Sequence, residues 1–474
     1  MRGGSTTRVR AARWAKLLAA VLVALLGFAG YPGEQSAARY RPGAADVGDP
    51  YVPGLGNGGY DVASYTLRLR YDPAEGRLSG TAVVVATATQ NLSRFNLDLI
   101  GLRVTAVTVD GRPARYRRDR GELIITPTRG LPVGHQFTVE IAYGGVPRPI
   151  TDPRLGTNGF LATTDGAIAL GQPVSASTWF PVNDHPSDKA TYDIEISVPD
   201  GLVALSNGVP RGTRRADGWT TWRWSVRSPM ASYLATVVIG DYRVRMDSHN
   251  GKPMVTAVAS SLPRGPADAA LARTGEIADF LERHFGPYPF EAYGGIVIDD
   301  ERIRYALETQ TRPVYSAVFF ADEPATWVVA HELAHQWFGD SVSVHRWRDI
   351  WLNEGLATYA EWLWEEHDGG RSVREIVAAE YARTDWSQPA WDPGPDRLFT
   401  RAVYQRGALA VHAVRTTIGD DAFFQLLRAW AETKRDGNAT TAEFLALAQR
   451  ISGRDVTGVV EAWLAGRTAP PAPA

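Results

Sequence analysis

The stretch "WVVAHELAHQWFGD", residues 327–340, carries two histidines four positions apart in an otherwise apolar run. Residues i and i+4 lie on one face of a helix, so His331 and His335 can present ring nitrogens to a single metal ion. Glu332 lies on the adjacent face, within reach of a water molecule at that ion. The alternative is an amphipathic helix that carries the histidines incidentally, and a third ligand decides between the two.

A second helical pattern supplies a carboxylate. The stretch "DIWLNEGLATYAEWLWEEH", residues 349–367, places Glu354 after His335 with eighteen residues between them. Hydrolytic zinc sites take three protein ligands and leave one position open. An unpaired charge among Trp and Leu is costly, so ligation explains Glu354 better than a solvated helix face does. The sequence therefore predicts one Zn²⁺ ion held by His331, His335 and Glu354.

Composition limits what such a site belongs to. The chain has 474 residues, of which 44% are hydrophobic and 22% charged, and its net charge is -2. This is typical of a globular protein with two or three domains. The charge balance gives no reason to expect nucleic acid as a partner. The chain contains no Cys, so a metal ion must be held by His and carboxylate ligands.

The first residues differ from the rest of the chain. Five basic residues precede the apolar run "LLAAVLVALLGFAG", residues 17–30. This order is typical of a signal peptide, and the run is shorter than the roughly 20 residues that a membrane-spanning helix needs. We expect a signal peptide over 1–38 and a secreted or extracytoplasmic protein. The alternative is an uncleaved anchor, which would bring the protein to a membrane.

The remaining chain divides into two patterns. A Gly- and Pro-rich stretch over 39–59 predicts a flexible linker. From 60 to 245 strands dominate, as in "YTLRLRY", where Tyr65, Leu67, Leu69 and Tyr71 fall on one face. Helical segments dominate from 246 to 467, and residues 468–474 predict a disordered tail. The fold class is thus a multidomain α+β protein, with an all-β domain followed by a mainly helical catalytic domain.

Several segments resemble one enzyme family. "HELAHQWFGD" and "WLNEGLATYAEWL" closely resemble the zinc motif and third-ligand helix of the gluzincin aminopeptidases, the family of aminopeptidase N and leukotriene hydrolase. "WFPVNDHPSDKATYDIEISVPDGLVALSNG" and "FGPYPFEAYGGIVIDD" are similar to further segments of that family, in the same order. The resemblance covers about residues 60–465. It implies a short two-domain form, with a saddle-like β domain and a thermolysin-like zinc peptidase domain.

The resemblance also implies an activity and residue roles. It implies a zinc aminopeptidase that hydrolyses the first residue from peptides with a free N-terminus. Glu332 matches the general base and acid, and Tyr404, in "AVYQRGALAVHAV", matches the tyrosine that hydrogen-bonds the developing oxyanion. Both roles agree with the chemistry of metal-assisted hydrolysis.

The substrate-binding loop departs from the family pattern. Where the family has G-A-M-E-N, this chain has "YALETQ", residues 305–310. Glu308 matches the glutamate that holds the substrate's α-amine, and Ala306 and Leu307 are predicted to contact substrate beside it. Gln172 matches a residue that lines the first specificity pocket. Glu361 is a candidate partner for a ligand histidine, with a solvated helix charge as the alternative.

Two other function classes stay open at this point. One is a different zinc hydrolase, either an endopeptidase or an epoxide hydrolase. The other is a catalytically silent binding protein on the same fold. An endopeptidase would still cleave a substrate whose N-terminus is blocked, and a silent protein would be indicated by the absence of zinc.

Overall fold

The computed structural model describes residues 39–152 and 156–472. The predicted signal peptide over 1–38 lies outside these residues. Within the described part of the chain, no helix combines the length and the apolar character needed to cross a membrane.

The first part of the chain is built from strands that form three sheets among the described residues. The sheet orders are β1-β4-β8-β7, β10-β11-β12-β17-β14 and β15-β16-β13-β2-β3-β9-β5-β6, in which the strands are Arg41–Pro42 (β1), Tyr60–Asp72 (β2), Arg77–Ala88 (β3), Leu92–Asp98 (β4), Arg103–Val109 (β5), Arg112–Pro113 (β6), Arg115–Asp119 (β7), Glu122–Thr126 (β8), Gln136–Gly145 (β9), Ile150–Asp152 (β10), Gly156–Ala162 (β11), Ala167–Leu170 (β12), Lys189–Pro199 (β13), Val203–Ser206 (β14), Val209–Ala216 (β15), Trp219–Ala231 (β16) and Val237–Gly240 (β17).

The second part is mainly helical, with a five-stranded sheet in the order β18-β19-β20-β22-β21 and a strand pair β23-β24. Its strands are Tyr242–His249 (β18), Lys252–Ala259 (β19), Tyr293–Ile298 (β20), Ala306–Leu307 (β21), Val314–Ser316 (β22), Val342–Val344 (β23) and Gly437–Ala439 (β24). Its helices are Pro266–Ala272 (α1), Thr274–Phe285 (α2), Thr326–His335 (α3), Trp351–His367 (α4), Val373–Arg383 (α5), Gly407–Ile418 (α6), Asp420–Thr433 (α7), Thr441–Ser452 (α8) and Thr457–Leu464 (α9).

The periodicity read from the sequence is confirmed in β2. Tyr65, Leu67, Leu69 and Tyr71 are all buried, whereas Arg68 and Arg70 are exposed. Alternate side chains of a strand point to opposite faces of the sheet, so one face of β2 enters the core. The predicted fold class, a β domain followed by a mainly helical domain, is confirmed.

The predicted flexible linker over 39–59 is wrong for most of its length. β1 pairs with β4, and Tyr51 and Val52 are buried. The carboxylate of Asp49 accepts hydrogen bonds from the backbone N–H of Trp347, at 3.0 Å, and of Tyr51. Gly and Pro bend this segment, but its apolar and acidic side chains tie it to the helical part.

Two further boundaries differ from the sequence prediction. The predicted boundary between 245 and 246 falls inside β18, which pairs antiparallel with β19 and thereby belongs to the sheet of the helical part. The predicted disordered tail is ordered at Pro470, which is buried and whose carbonyl oxygen accepts a hydrogen bond of 2.5 Å from the Tyr381 hydroxyl. The tail is ordered by a tertiary contact that a local pattern does not encode, whereas β18 and β19 form a local hairpin across Asn250 and Gly251.

The β domain contacts the helical part close to the zinc motif. The ammonium group of Lys189 donates hydrogen bonds of 2.6 and 2.9 Å to the carbonyl oxygens of Asp340 and Ser341. The amide of Asn207 donates to the Gln310 carbonyl oxygen at 2.8 Å. These contacts place the β domain against the loop that follows α3 and the loop that follows β21.

Candidate active site

Three predicted metal ligands meet between α3 and α4. His331 and His335 lie on one face of α3, with their Nε2 atoms 3.0 Å apart. Oε2 of Glu354, in the first turn of α4, lies 3.5 Å from Nε2 of His331 and 3.4 Å from Nε2 of His335. All three side chains are buried, so the structure brings together the ligand set that the sequence predicted.

The spacing of these three atoms fits a zinc ion. Bonds of about 2.0–2.1 Å in a tetrahedral site separate the ligand atoms by about 3.3 Å, which agrees with the observed 3.0–3.5 Å. A second acidic group, made of Glu308, Glu332 and His335, also places its ligand atoms within 4.8 Å of one another. The first group offers two imidazoles and a spacing that fits zinc, so we assign the zinc site to it.

The Nδ1 atoms of both ligand histidines also contact acceptor oxygens. Nδ1 of His331 contacts a carboxylate oxygen of Glu361, and Nδ1 of His335 lies 3.0 Å from the carbonyl oxygen of Phe338. These acceptors favour the tautomer in which Nδ1 carries the proton and Nε2 presents its lone pair. Glu361 thus lies where the sequence placed a candidate partner for a ligand histidine, and it orients that ring.

The electrostatic field at the cluster favours positive charge. Burial by itself would lower the pKa of His335, but the carboxylates of Glu354 and Glu308 outweigh burial and raise it to about 9. Burial would raise the pKa of Glu354, yet the two histidines lower it to about 2. Burial raises the pKa of Glu332 to about 8, despite the opposing effect of the histidines. A divalent cation experiences the same favourable field as these protons.

Tyr404 reaches the cluster through a close helix crossing. Its ring stacks on the His331 ring, with centroids 5.9 Å apart, and it lies in a π-helical turn over Ala402–Arg406 that precedes α6. A Cβ atom on Gly355 would come within 2.8 Å of the Gly407 backbone, so α4 and α6 approach this closely because both positions are glycine. Burial raises the pKa of Tyr404 well above its usual value, which keeps its hydroxyl protonated as a hydrogen-bond donor.

Glu308 is held by two side chains of the β domain. Nε2 of Gln172 donates a hydrogen bond of 2.8 Å to its Oε1, and the Tyr233 hydroxyl donates one of 3.3 Å to the same oxygen. Burial raises the pKa of Glu308. The Glu308 carboxylate is therefore positioned by specific hydrogen-bond partners and does not project freely into solvent.

These side chains surround a cleft of about 410 Å³. Ala306 lines it, but Leu307 does not, and the Leu307 side chain is 1% exposed. Alternate residues of β21 face opposite sides, so Leu307 enters the core. The Leu307 side chain therefore does not border the cleft, whereas Gln172, Ala306 and Glu308 all do.

Cavity size by itself does not identify the site. A larger cavity of about 960 Å³ is lined by carboxylates that include Asp165, Asp241 and Asp299. No histidine borders it within the described residues, and it shares no lining residue with the cleft above. The zinc ligands, Glu332 and Tyr404 all line the smaller cleft, which identifies it as the candidate active site.

The structure adds residues to the site that sequence reasoning missed. Tyr233 contacts Glu308 from the β domain, while Arg304 and Trp327 line the cleft. Trp327 is 43% exposed although it is a large apolar side chain, and its position four residues before His331 was a signal that could have identified it. Tyr233 and Arg304 carry no comparable local signal.

Comparison with known proteins decides the family. Two family models match the chain, the Peptidase M1 N-terminal domain over residues 62–234 and the Peptidase family M1 domain over 269–463. A solved two-domain M1 zinc metallopeptidase mutant bound to L-arginine is 32% identical, with a TM-score of 0.83 over 90% of this chain and 99% of that chain. The chain belongs to the M1 family of zinc metallopeptidases. The predicted family and zinc cofactor are confirmed.

Other relatives of this M1 peptidase span a range of lengths. A mutant M1 zinc metallopeptidase from Deinococcus radiodurans, solved with a Tyr-Ser-Ala substrate, is 33% identical, with a TM-score of 0.83 over 90% of this chain and 100% of that chain. Aminopeptidase N of Canis lupus familiaris is 31% identical over 49% of this chain and 24% of its own length. Aminopeptidase N of Lactobacillus helveticus is 26% identical over 84% of this chain and 50% of its own length. The M1 peptidase described here thus spans about a quarter to a half of these two curated relatives.

Proposed function

We propose that this protein is a zinc-dependent aminopeptidase, which removes one residue at a time from the N-terminus of peptides. The observation that carries the proposal is the buried carboxylate of Glu308, which lines the same cleft as the zinc ligands and Glu332. The relatives named aminopeptidase N and the similar structure with a bound Tyr-Ser-Ala substrate support it.

Glu332 is the general base and acid of the proposed reaction. A zinc ion held by His331, His335 and Glu354 would polarise the substrate carbonyl and lower the pKa of a water molecule. A carboxylate oxygen of Glu332 lies within 4.8 Å of a ring nitrogen of His335 and of a carboxylate oxygen of Glu308. From this position Glu332 takes a proton from the attacking water and returns it to the leaving nitrogen, so that the amine departs uncharged.

Tyr404 stabilises the charge that develops on the carbonyl oxygen. Its ring is held against His331, and its hydroxyl stays protonated because burial raises its pKa. A donor fixed in place before the reaction costs little reorganisation when the oxyanion forms. Tyr404 is therefore needed more in the transition state than in the bound substrate.

Glu308 is the anchor for the substrate's α-ammonium group. A charge-assisted hydrogen bond between carboxylate and ammonium is stronger than a neutral one. The donors of Gln172 and Tyr233 occupy one of its oxygens, Oε1, which leaves Oε2 to accept from a ligand. Because the anchor lies beside the zinc ligands, it selects the first peptide bond for cleavage.

Glu308→Gln is expected to retain zinc and to lower kcat/KM on a peptide with a free amine by about 10- to 150-fold. The substitution keeps the shape of the side chain but removes a charged contact worth roughly 1.5–3 kcal/mol. The measurement compares kcat/KM for a free peptide and its N-acetylated form, in wild type and variant, at a pH where the amine is protonated.

Glu301→Gln is the matched control, since Glu301 is exposed and lies outside the cleft. It should leave kcat/KM for both peptides as in wild type. The acetylated peptide should be a poor substrate for every protein, because acetylation removes the charge that Glu308 binds. Equal cleavage of both peptides by wild type would contradict the aminopeptidase assignment and favour the endopeptidase alternative.

We also propose that the protein acts outside the cytoplasm. The support is the order of basic residues and apolar run in the first 30 residues. Cell fractionation with N-terminal sequencing of the recovered protein tests this. A cytoplasmic protein that retains Met1 would contradict it, and recovery from the membrane with the segment intact would indicate the anchor instead.

A further inference from the structure

Among the described residues, Arg304 is a cation of the cleft without a charged partner. It is exposed and lies four residues before Glu308. Within residues 39–152 and 156–472, no carboxylate forms an ion pair with its guanidinium group. The other arginine of the cleft, Arg401, is paired with Glu380. Of the two arginines that line the cleft in the described part of the chain, Arg304 is therefore the one available to a ligand.

Between Arg304 and Glu308 the chain bends at Tyr305 and then forms the short edge strand β21. β21 pairs with β22 on one side and forms the last strand of its sheet, and the backbone N–H of Ser316 donates to the Tyr305 carbonyl oxygen at 3.3 Å. A fully extended chain rises about 3.3 Å per residue, so these four steps span at most about 13 Å. An edge of this kind binds an extended peptide as an additional strand.

The direction of a bound peptide follows from burial. Beyond Glu308 the chain enters the interior, where residues 309–312 are all fully buried. Toward Arg304 it stays open, because Arg304, Tyr305 and Ala306 all line the cleft. A peptide whose amine is bound at Glu308 therefore extends toward Arg304.

The two ends of this path carry opposite charges. Glu308 is an acceptor for an ammonium group, and the Arg304 guanidinium matches a carboxylate in both charge and shape. A tripeptide in extended form spans about 10 Å from amine to carboxylate, and the flexible arginine side chain covers the remaining distance. The path therefore complements a short peptide whose two termini are both charged.

We infer that Arg304 binds the C-terminal carboxylate of substrates of three or four residues, and that it selects such short peptides over longer ones. This inference rests on the proposed aminopeptidase function and names a substrate class for it. Arg304 contacts a part of the substrate remote from the reacting bond, so its contribution appears mainly in KM.

The test compares kcat/KM for a tripeptide with a free C-terminus and for the same tripeptide amidated at its C-terminus. Wild type is expected to prefer the free acid by about 10-fold. This preference is at the lower end of the range for a hydrogen bond to a charged group, because Arg304 is exposed. Arg304→Gln should reduce this ratio to about one, and Arg304→Lys should keep part of it because the charge is retained. Arg302→Gln, at an exposed residue outside the cleft, should keep the wild-type ratio.

Two further substrates define the recognised group. A hexapeptide should show no preference between acid and amide in wild type, since its carboxylate lies beyond Arg304. A tripeptide amide with Glu as its third residue should be cleaved as slowly as other amides. Equal cleavage of that amide and the free acid, or an unchanged ratio in Arg304→Gln, would overturn the inference. Cleavage of none of these peptides by wild type would instead refute the aminopeptidase function.

Discussion

Glu354→Ala is expected to yield a folded protein without bound zinc and without measurable peptidase activity. The site offers three protein donors, with Oε2 of Glu354 within 3.5 Å of both imidazole nitrogens. Loss of one donor in three removes most of the affinity of a hydrolytic zinc site. The measurements are the zinc content of the purified variant, its circular dichroism spectrum and its kcat on a free-amine peptide.

Glu361→Gln provides a graded comparison for this result. Glu361 contacts Nδ1 of His331 and not the metal position. Its loss should therefore weaken zinc binding by about 10- to 100-fold without abolishing it. Competition with a chelator measures the difference. Full zinc occupancy in Glu354→Ala would show that the ligand set is wrong, and the alternative group of Glu308, Glu332 and His335 would then be tested next.

Glu332→Gln is expected to fold and to hold zinc, while kcat falls by about 10²- to 10⁴-fold. The substitution preserves the shape of the side chain but removes the base that accepts a proton from water and returns it to the leaving amine. A buried glutamate beside the zinc ligands also affects the local charge, so zinc content is measured together with kcat. Loss of zinc from this variant would place Glu332 among the ligands.

Two further variants separate chemistry from general disruption. Glu461→Gln, at an exposed position of α9, should have no effect on kcat. Tyr404→Phe should retain zinc and lose kcat by about 10²- to 10³-fold, because the hydroxyl acts in the transition state. A raised KM with unchanged kcat would contradict that role and assign Tyr404 to substrate binding.

Much of the site could be predicted because its residues are close in sequence or lie in regular helices. His331, Glu332 and His335 share one helical turn, and Glu354 stands out as a charge inside an apolar helix. The alternation of apolar and polar residues in β2 likewise indicates directly which of its faces is buried. These predictions succeed because the periods of helices and strands are properties of the local backbone.

Other features depended on contacts between distant segments. The segment at 39–59 reads as a flexible linker, but Asp49 reaches the backbone of Trp347, far along the chain. Leu307 reads as a substrate contact, but the pairing of β21 with β22 turns it toward the core. Gln172 is assigned by resemblance and Glu361 is a candidate partner for a ligand histidine, but their contacts with Glu308 and His331 depend on tertiary packing.

The amino-acid sequence by itself determined the zinc motif, the third ligand and the division into strand-rich and helical parts, because each depends on spacing within a helix or a strand. The tertiary structure decided how the site is completed. The β domain supplies the partners of Glu308, the close approach of Gly355 and Gly407 allows Tyr404 to stack on His331, and Arg304 and Glu308 line the same cleft. These residues meet because packing joins segments that are distant in sequence, and no local period encodes such contacts.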